Sequence, residues 1–147
     1  MKTSANIEAV RRLCERWAWL SEKEFAELIA QNCIYYDVPF PRAQAIGPHA
    51  AYAKLSPMQK DWEIGLEVVS IVGDADTVIA ERVEHFRNKS NAVEPFDLPV
   101  VGVFEIADGK IKAWRDYWDK SAAEPLLRFI AMSSGQRTPN QATGDKK

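Results

Sequence analysis

The chain has 147 residues, 46% of them hydrophobic, which is enough for one domain with a buried core. Its net charge of −2 leaves no basic stripe that would attract nucleic acid or an anionic membrane. No window approaches the ~20 apolar residues of a membrane helix, and the N-terminus lacks the apolar stretch of an export signal. We therefore expect a cytoplasmic protein without nucleic-acid or membrane partners.

Two helices are predicted before the first strand. Apolar residues recur at three- and four-residue spacing between Ile7 and Ala18, which indicates one buried face of a helix over residues 4–20. Ser21 and Glu24 have the spacing of a capping box and so begin a second, short helix. The apolar stripe of this helix is formed by Phe25, Leu28 and Ile29.

The next stretch predicts one strand and a third helix. Residues 33–38 are β-branched or aromatic, and the PFPR sequence after them ends the strand because proline cannot donate to a sheet. Gly47 and Pro48 are typical of a helix start. We expect this helix to end at Pro57, because a proline inside a helix removes a backbone hydrogen bond.

From Trp62 onward the apolar residues alternate with polar ones, which is typical of a strand with one buried face. The first such strand ends at the GDAD turn, and the last two are joined by a tight turn at Asp108-Gly109. A last helix is predicted between Ala122 and Met132. The strands after the first are predicted over residues 77–87, 95–107 and 111–118.

This order of elements indicates an α+β domain over residues 1–132, followed by a polar, flexible tail over residues 133–147. Helices that cover one face of a strongly curved sheet can enclose a ligand-sized apolar pocket. Cys14 and Cys33 lie in apolar stretches without a CxxC or Cys/His spacing. We therefore predict reduced core cysteines and no metal site.

Two opposite charges lie in an apolar row of the strand over residues 77–87. Residues of one parity share a face of a strand, so Arg82 and Glu84 point the same way as Phe86. This strand therefore carries an arginine and an acid on a face that is otherwise apolar.

Carboxylates also alternate with apolar residues in the first and last strands. In the last strand Asp116 stands between Trp114 and Trp118, which share its face. In the first strand Tyr35 and Asp37 share one face. Separate strands thus offer polar groups that could converge on one site.

The spacing alone leaves two interpretations open. If these faces are buried, Arg82 must pair with Asp116 and Glu84, because a lone buried charge costs several kcal/mol. An arginine between two carboxylates would allow protons to be passed at opposite ends of a substrate. If the faces are exposed, Arg115, Asp116 and Asp119 form surface ion pairs that contribute little to stability.

The stretches ERVEHFR and VVGVFEIADGKIKAWRDYWD, with IYYDVPFPRAQAIG upstream, resemble the limonene-1,2-epoxide hydrolase family. This family is a branch of the cone-shaped NTF2-like, SnoaL-like and ketosteroid-isomerase-like domains. The resemblance covers roughly residues 34–119, and its most specific part is the hairpin that ends in WRDYWD. It implies a cone-shaped α+β fold in which a curved mixed sheet and N-terminal helices enclose an apolar pocket.

The resemblance also implies a role for each polar residue. Asp116 matches the general base that deprotonates water, Glu84 matches the acid that protonates the epoxide oxygen, and Arg82 matches the bridge between them. Tyr35 and Asp37 match the positions that hold the water. In this family water attacks in one step, without a covalent enzyme ester, and no cofactor is implied.

Two residues depart from the family pattern. Glu84 stands where the family usually has aspartate, which keeps the acid chemistry but lengthens the side chain by one methylene. Asp37 stands where the family usually has an amide, so a second carboxylate is expected near Asp116 and the water. Like charges at close range raise one pKa, and either aspartate or the pair could act as the base.

We therefore predict a cofactor-independent epoxide hydrolase that opens a lipophilic cyclic epoxide to a vicinal diol. Trp114, Trp118 and Phe86 are expected to line the substrate pocket. One alternative is a ketosteroid-isomerase-like isomerase or cyclase with Tyr35 as oxyanion donor, and another is a non-catalytic NTF2-like module that binds a ligand or dimerises. The resemblance further implies a homodimer that forms through the outer faces of the sheets.

Overall fold

The structure is a computed structural model and describes residues 2–135. The helices and strands follow one another as predicted, with one additional short strand before the third helix. The elements are α1 (Lys2–Arg16), α2 (Glu22–Leu28), β1 (Ile29–Asp37), β2 (Ala45–Ile46), α3 (Gly47–Asp61), β3 (Trp62–Gly73), β4 (Thr77–Asn88), β5 (Phe96–Ala107), β6 (Lys110–Tyr117), a 3-10 turn (Lys120–Ala123) and α4 (Glu124–Gly135).

One six-stranded sheet in the order β2-β1-β6-β5-β4-β3 organises the domain. Strands β3 to β6 form the predicted antiparallel meander, whereas β1 pairs in parallel with β6. Bulges between Val68 and Ser70 and between Glu105 and Ile106 shift the register, and such shifts bend and twist a sheet. The predicted α+β class with a curved mixed sheet is confirmed.

The helices lie against one face of this sheet. Helix α1 packs against β3 and β4, and α3 packs against β1. In β4 the alternate residues from Val78 to Asn88 are buried, while their neighbours are exposed or half-buried. Both cysteines are free and buried, as predicted. Among residues 2–135 no helix is long and apolar enough to cross a membrane.

Two predicted boundaries were wrong at the N-terminal helices. Helix α1 ends at Arg16 instead of residue 20, because the N–H groups of Trp19 and Leu20 both turn back to the carbonyl of Arg16. The capping box of Ser21 and Glu24 is present as predicted. Ile29, assigned to the helical stripe, instead begins β1, where its buried side chain joins the core.

Pro57 does not end α3, which continues to Asp61. Ala53, whose carbonyl loses its helical partner to the proline, is exposed, and so is Pro57, so water can reach that carbonyl. Beyond the proline, Met58 packs against the core, and its carbonyl accepts a hydrogen bond from the N–H of Trp62. Packing and capping therefore outweigh the lost hydrogen bond.

The last helix also differs slightly from the prediction. Helix α4 continues past Met132 to Gly135, so the first residues of the predicted tail are helical. The rest of the predicted tail, residues 136–147, lies outside the described residues.

Candidate active site

The candidate site is built around a buried arginine on β4. The period of two along this strand places Arg82 and Glu84 on the covered face, where they are 1% and 5% exposed. Asp116 on β6 is also 5% exposed. The interpretation in which these faces are open to solvent was therefore wrong.

Arg82 contacts both carboxylates. Its Nε donates to Oε2 of Glu84 at 3.0 Å, and its Nη2 donates to Oδ2 of Asp116 at 2.6 Å. The pairing expected for buried faces is thus confirmed. Within the described chain, Nη1 of Arg82 is a buried polar atom without a hydrogen-bond partner.

Gly102 lets the arginine reach across the sheet. Strand β5 lies between β4 and β6, and Gly102 is paired with Asp116 in the sheet register. A Cβ atom at this position would lie 2.7 Å from Nη1 of Arg82 and 2.6 Å from Cε1 of Phe104. No side chain therefore fits at residue 102 without displacing the guanidinium or the ring, a requirement that the sequence pattern of β5 did not reveal.

Two indole N–H groups complete the hydrogen bonds to the carboxylates. Nε1 of Trp114 donates to Oδ1 of Asp116 at 2.9 Å, across two positions of β6. Nε1 of Trp17 donates to Oε2 of Glu84 at 2.9 Å. Trp17 was predicted only as a core residue, because its partner lies on a strand distant in sequence.

Tyr35 and Asp37 lie beside Asp116 because β1 and β6 are adjacent. Asp37 is the register partner of Asp116, and Tyr35 is that of Trp114. The rings of Tyr35 and Trp114 stack with their centroids 3.8 Å apart. Oδ1 of Asp37 accepts a hydrogen bond of 2.9 Å from Nε1 of Trp118.

Lys54 of α3 is a site residue that the sequence did not single out. Its Nζ lies 3.3 Å from Oδ2 of Asp37 and 4.4 Å from the centroid of the Tyr35 ring. Periodicity predicted the helix but could not indicate that this lysine faces the end of β1.

The ionisation of the site follows from burial and from the charges around it. Burial raises the pKa of Asp116 to about 6; Arg82 opposes this effect, and Asp37 and Glu84 reinforce it. Burial acts to lower the pKa of Arg82, but Asp116 and Glu84 outweigh it and hold that pKa well above its ordinary value. Burial, with Asp37 and Asp116, also raises the pKa of Tyr35 well above its ordinary value, so its hydroxyl stays protonated.

These groups line one end of a cavity of about 270 Å³. Tyr35, Asp37, Lys54, Glu84 and Asp116 are its titratable lining residues, and Arg82 contacts Glu84 and Asp116 without lining the cavity. The predicted pocket residues Phe86, Trp114 and Trp118 are all in its wall. Helices α3 and α4 close the remaining sides with Leu55, Met58, Leu126, Leu127 and Ile130. An apolar cavity with a few converging polar groups is the usual form of a small-molecule site.

The other charges of the WRDYWD segment lie outside the site. Arg115 donates to Oε2 of Glu105 at 2.7 Å on the outer face of the sheet. Asp119 caps the 3-10 turn by accepting from the N–H of Ser121. Arg115 thus forms the cross-strand pair that the exposed interpretation described, whereas Asp119 does not.

Comparison with known proteins identifies a family for most of the chain. The family model described as the limonene-1,2-epoxide hydrolase catalytic domain matches residues 4–124. An LEH-like epoxide hydrolase from M. tuberculosis, where LEH abbreviates limonene-1,2-epoxide hydrolase, has a similar structure, with 24% identity and a TM-score of 0.71. The match covers 92% of this chain and 99% of that one.

Structures with other names share the fold. A candidate SnoaL-like polyketide cyclase from Jannaschia sp. is 18% identical, with a TM-score of 0.67 over 88% of this chain and 91% of its own. A protein with a ketosteroid isomerase-like fold from Catenulispora acidiphila is 19% identical, with a TM-score of 0.67 over 78% and 88%. At these identities the likeness concerns the fold alone.

Proposed function

The chain belongs to the limonene-1,2-epoxide hydrolase family, and from this premise we propose that it opens a lipophilic cyclic epoxide to a vicinal diol without a cofactor. The observation that carries the proposal is the buried contact of Arg82 with both Asp116 and Glu84. A base and an acid that share one guanidinium can act together on a single ring opening.

In the proposed reaction Asp116 takes one proton from a water molecule. As this proton leaves, the water oxygen forms a bond to one carbon of the epoxide, and the bond between that carbon and the epoxide oxygen breaks. Glu84 gives its proton to the released oxygen, which yields the diol. A proton must then pass from Asp116 to Glu84, and both carboxyl groups contact the same arginine.

Charge balance supports a protonated acid at the start of this cycle. The site brings together the carboxyl groups of Asp37, Glu84 and Asp116 with the cations of Arg82 and Lys54. One bound proton makes the cluster neutral, which is the state that burial favours. Both hydrogen bonds to Glu84 from described residues fall on Oε2, so Oε1 is the oxygen that would carry the proton for the epoxide.

The remaining groups suit a water held next to Asp116. A protonated Tyr35 hydroxyl can donate to the water oxygen, since burial raises the pKa of this tyrosine. The water would donate one hydrogen bond to Asp116 and the other to Asp37, which as a carboxylate accepts hydrogen bonds. Asp37 therefore replaces the family's amide as an acceptor in this arrangement.

An isomerase or cyclase of the ketosteroid-isomerase type is the second candidate. The observation in its favour is the protonated Tyr35, which could donate to an enolate oxygen as well as to water. Arg82 favours the hydrolase, because its contacts with both Glu84 and Asp116 couple an acid and a base for one ring opening. The cavity that reaches Asp116 also argues against a module that only dimerises.

Turnover of epoxides in ¹⁸O-labelled water tests the proposal. Terpene, cycloalkene and larger alicyclic epoxides form the panel, and we expect a diol with one labelled oxygen from at least one of them. Replacement of the base in Asp116→Asn should lower the rate roughly 10²–10⁴-fold. Asp97→Asn, on the outer face of the sheet, is the matched control and should keep the activity.

Two results would contradict the hydrolase. The first is the absence of diol from every epoxide in the panel. The second is full activity of Asp116→Asn, which would remove that residue as the base. Deuterium exchange at the α-carbon of an enone, without diol formation, would instead support the isomerase.

We also propose a second copy of the chain as a partner, held by the outer face of the sheet. Val72, Ile79, Val101 and Tyr117 are 39% to 60% exposed there, and they form two cross-strand pairs, Val72–Ile79 and Val101–Tyr117. Burial of such a patch favours association. Sedimentation of the wild type as a dimer and of Ile79→Glu as a monomer is expected; a monomeric wild type would contradict the proposal.

A further inference from the structure

Lys54 brings a second cation to the site, on a different element from Arg82. Its Nζ donates to the carbonyl of Ala43 at 3.0 Å, lies 3.3 Å from Oδ2 of Asp37 and stands over the Tyr35 ring. The side chains of Lys54 and Asp37 are 25% and 19% exposed, so water screens their attraction only in part. Both line the cavity.

These contacts fix the orientation of Asp37. The ammonium holds Oδ2 while the indole of Trp118 donates to Oδ1. Each oxygen of a carboxylate can accept more than one hydrogen bond, so both retain a free acceptor position. Asp37 is therefore oriented by donors from two elements and can still accept a proton of a bound water.

Lys54 also adds a positive charge beside one of two neighbouring carboxylates, Asp37 and Asp116. Asp37 lies opposite Asp116 in the parallel register of β1 and β6, and its charge raises the pKa of Asp116. Two carboxylates this near to each other would compete for one proton if no cation stood beside them. Arg82 compensates for Asp116, and Lys54 compensates for Asp37.

We propose that Lys54 is a positioning residue that holds the Asp37 carboxylate as an acceptor for the attacking water and leaves Asp116 as the base. The inference rests on the proposed function and deepens it, because it explains how a carboxylate can serve where the family has an amide. Lys54 acts through Asp37 and Tyr35 and does not touch the reacting atoms.

A purely structural role for Lys54 makes different predictions. Its bond to Ala43 ties α3 to the loop after β1, and loss of that bond alone would lower thermal stability without changing any titration. The charged groups that face Asp37 and Asp116 are Lys54 from α3, Arg82 and Glu84 from β4, with Tyr35 beside them. Only the electrostatic role predicts that removal of the ammonium changes the ionisation of Asp116.

The test compares Lys54→Met, Lys54→Arg and, as a control, Lys60→Met, which alters an exposed lysine of the same helix. The readouts are the pH dependence of kcat and KM and a ¹³C NMR titration of the Asp116 carboxyl group. For Lys54→Met we expect a rise of about one unit in the pKa of Asp116 and a loss in kcat of roughly tenfold with a smaller change in KM.

The matched variants locate the effect. Lys54→Arg should restore most of the loss, and Lys60→Met should behave as the wild type. In the Asp37→Asn background, Lys54→Met should have a smaller effect, because the carboxylate that it neutralises is absent. Equal effects in both backgrounds would overturn the route through Asp37.

The NMR titration decides the inference separately from the proposed function. An unchanged titration of Asp116 in Lys54→Met overturns it, even if the melting temperature falls. A protein that opens no epoxide would contradict the proposed function, and a raised pKa of Asp116 in Lys54→Met would still support the electrostatic role of Lys54.

Discussion

The two faces of the sheet carry nearly the same ion pair in different surroundings. On the inner face Nη2 of Arg82 lies 2.6 Å from Oδ2 of Asp116, and on the outer face Nη2 of Arg87 lies 2.6 Å from Oε2 of Glu63. The inner side chains are 1% and 7% exposed, whereas the outer ones are 45% and 64% exposed. The two pairs therefore have the same contact distance and differ in how far water can reach them.

This difference teaches what burial adds to a charge pair. An exposed pair gains little, because water competes for both partners and salt screens them. A buried pair is also weak evidence of stability, since desolvation offsets the attraction. What burial changes is the pKa. It raises the pKa of Asp116 to about 6, so this carboxyl group can exchange a proton near neutral pH.

The largest difference in unfolding free energy is expected between the variants that remove Arg82 and Arg87. Arg82→Met leaves Glu84 and Asp116 buried without their cation, and breaking such a pair costs about 3–5 kcal/mol of unfolding free energy. Arg87→Met should change the unfolding free energy little, because both partners are exposed. Denaturation in urea measures both variants. Equal losses would contradict the distinction between the faces.

A glycine on each face sharpens the comparison. Gly102→Ala places a methyl group 2.7 Å from Arg82 Nη1 and 2.6 Å from the Phe104 ring, and overpacking of this kind costs about 1–3 kcal/mol. Gly65→Ala on the outer face meets His85 at 3.6 Å, an ordinary contact. The melting temperature and the rate of diol formation should fall in Gly102→Ala and stay unchanged in Gly65→Ala. A crystal structure of the Gly102→Ala variant with both Arg82 and the Phe104 ring unmoved would contradict the role of Gly102.

The pH dependence of activity tests the inner carboxylates directly. The base must be ionised, so kcat/KM should rise with pH through about 6, the raised pKa of Asp116. Asp37→Asn removes a negative neighbour and should lower that pKa, which moves the acidic limb to lower pH. An unchanged limb would show that Asp37 and Asp116 are not coupled.

The smallest effect is expected on the outer face at His85. Hydrogen bonds to Asp97 and Glu67 raise the pKa of this histidine above its ordinary 6.5. The folded state therefore holds the proton more tightly, so the stabilisation is complete below pH 6.5 and is lost as pH rises through the folded pKa. Melting temperatures of His85→Gln and the wild type should differ slightly at pH 5.5 and converge at alkaline pH, with no change in activity. A difference in melting temperature that grows as pH rises would contradict a raised pKa of His85.

The part of the site that follows from local pattern could be predicted from the sequence. Alternation along β4 and β6 puts Arg82 and Glu84 on one face and Asp116 on the face of Trp114, because parity on a strand is a property of the chain itself. Whether these faces are covered was left open by the spacing. Burial then requires that they pair, as the structure confirms.

The remainder depends on contacts between elements that are distant in sequence. The position of Lys54 at the site follows from the placement of α3 beside β1, which no periodicity encodes. The need for glycine at residue 102 arises from an arginine on the neighbouring strand. The continuation of α3 past Pro57 depends on core packing of Met58, which overrides local helix preference.

The parallel pairing of β1 with β6 has a consequence for biosynthesis. Asp116 follows Arg82 and Glu84 in the chain, and β6 is the strand that joins the two halves of the sheet. A ribosome-bound chain that ends before β6 therefore leaves Arg82 with Glu84 as its carboxylate partner and leaves β1 without its neighbour. Acid–base competence therefore requires the last strand, which lies between the first and the fifth.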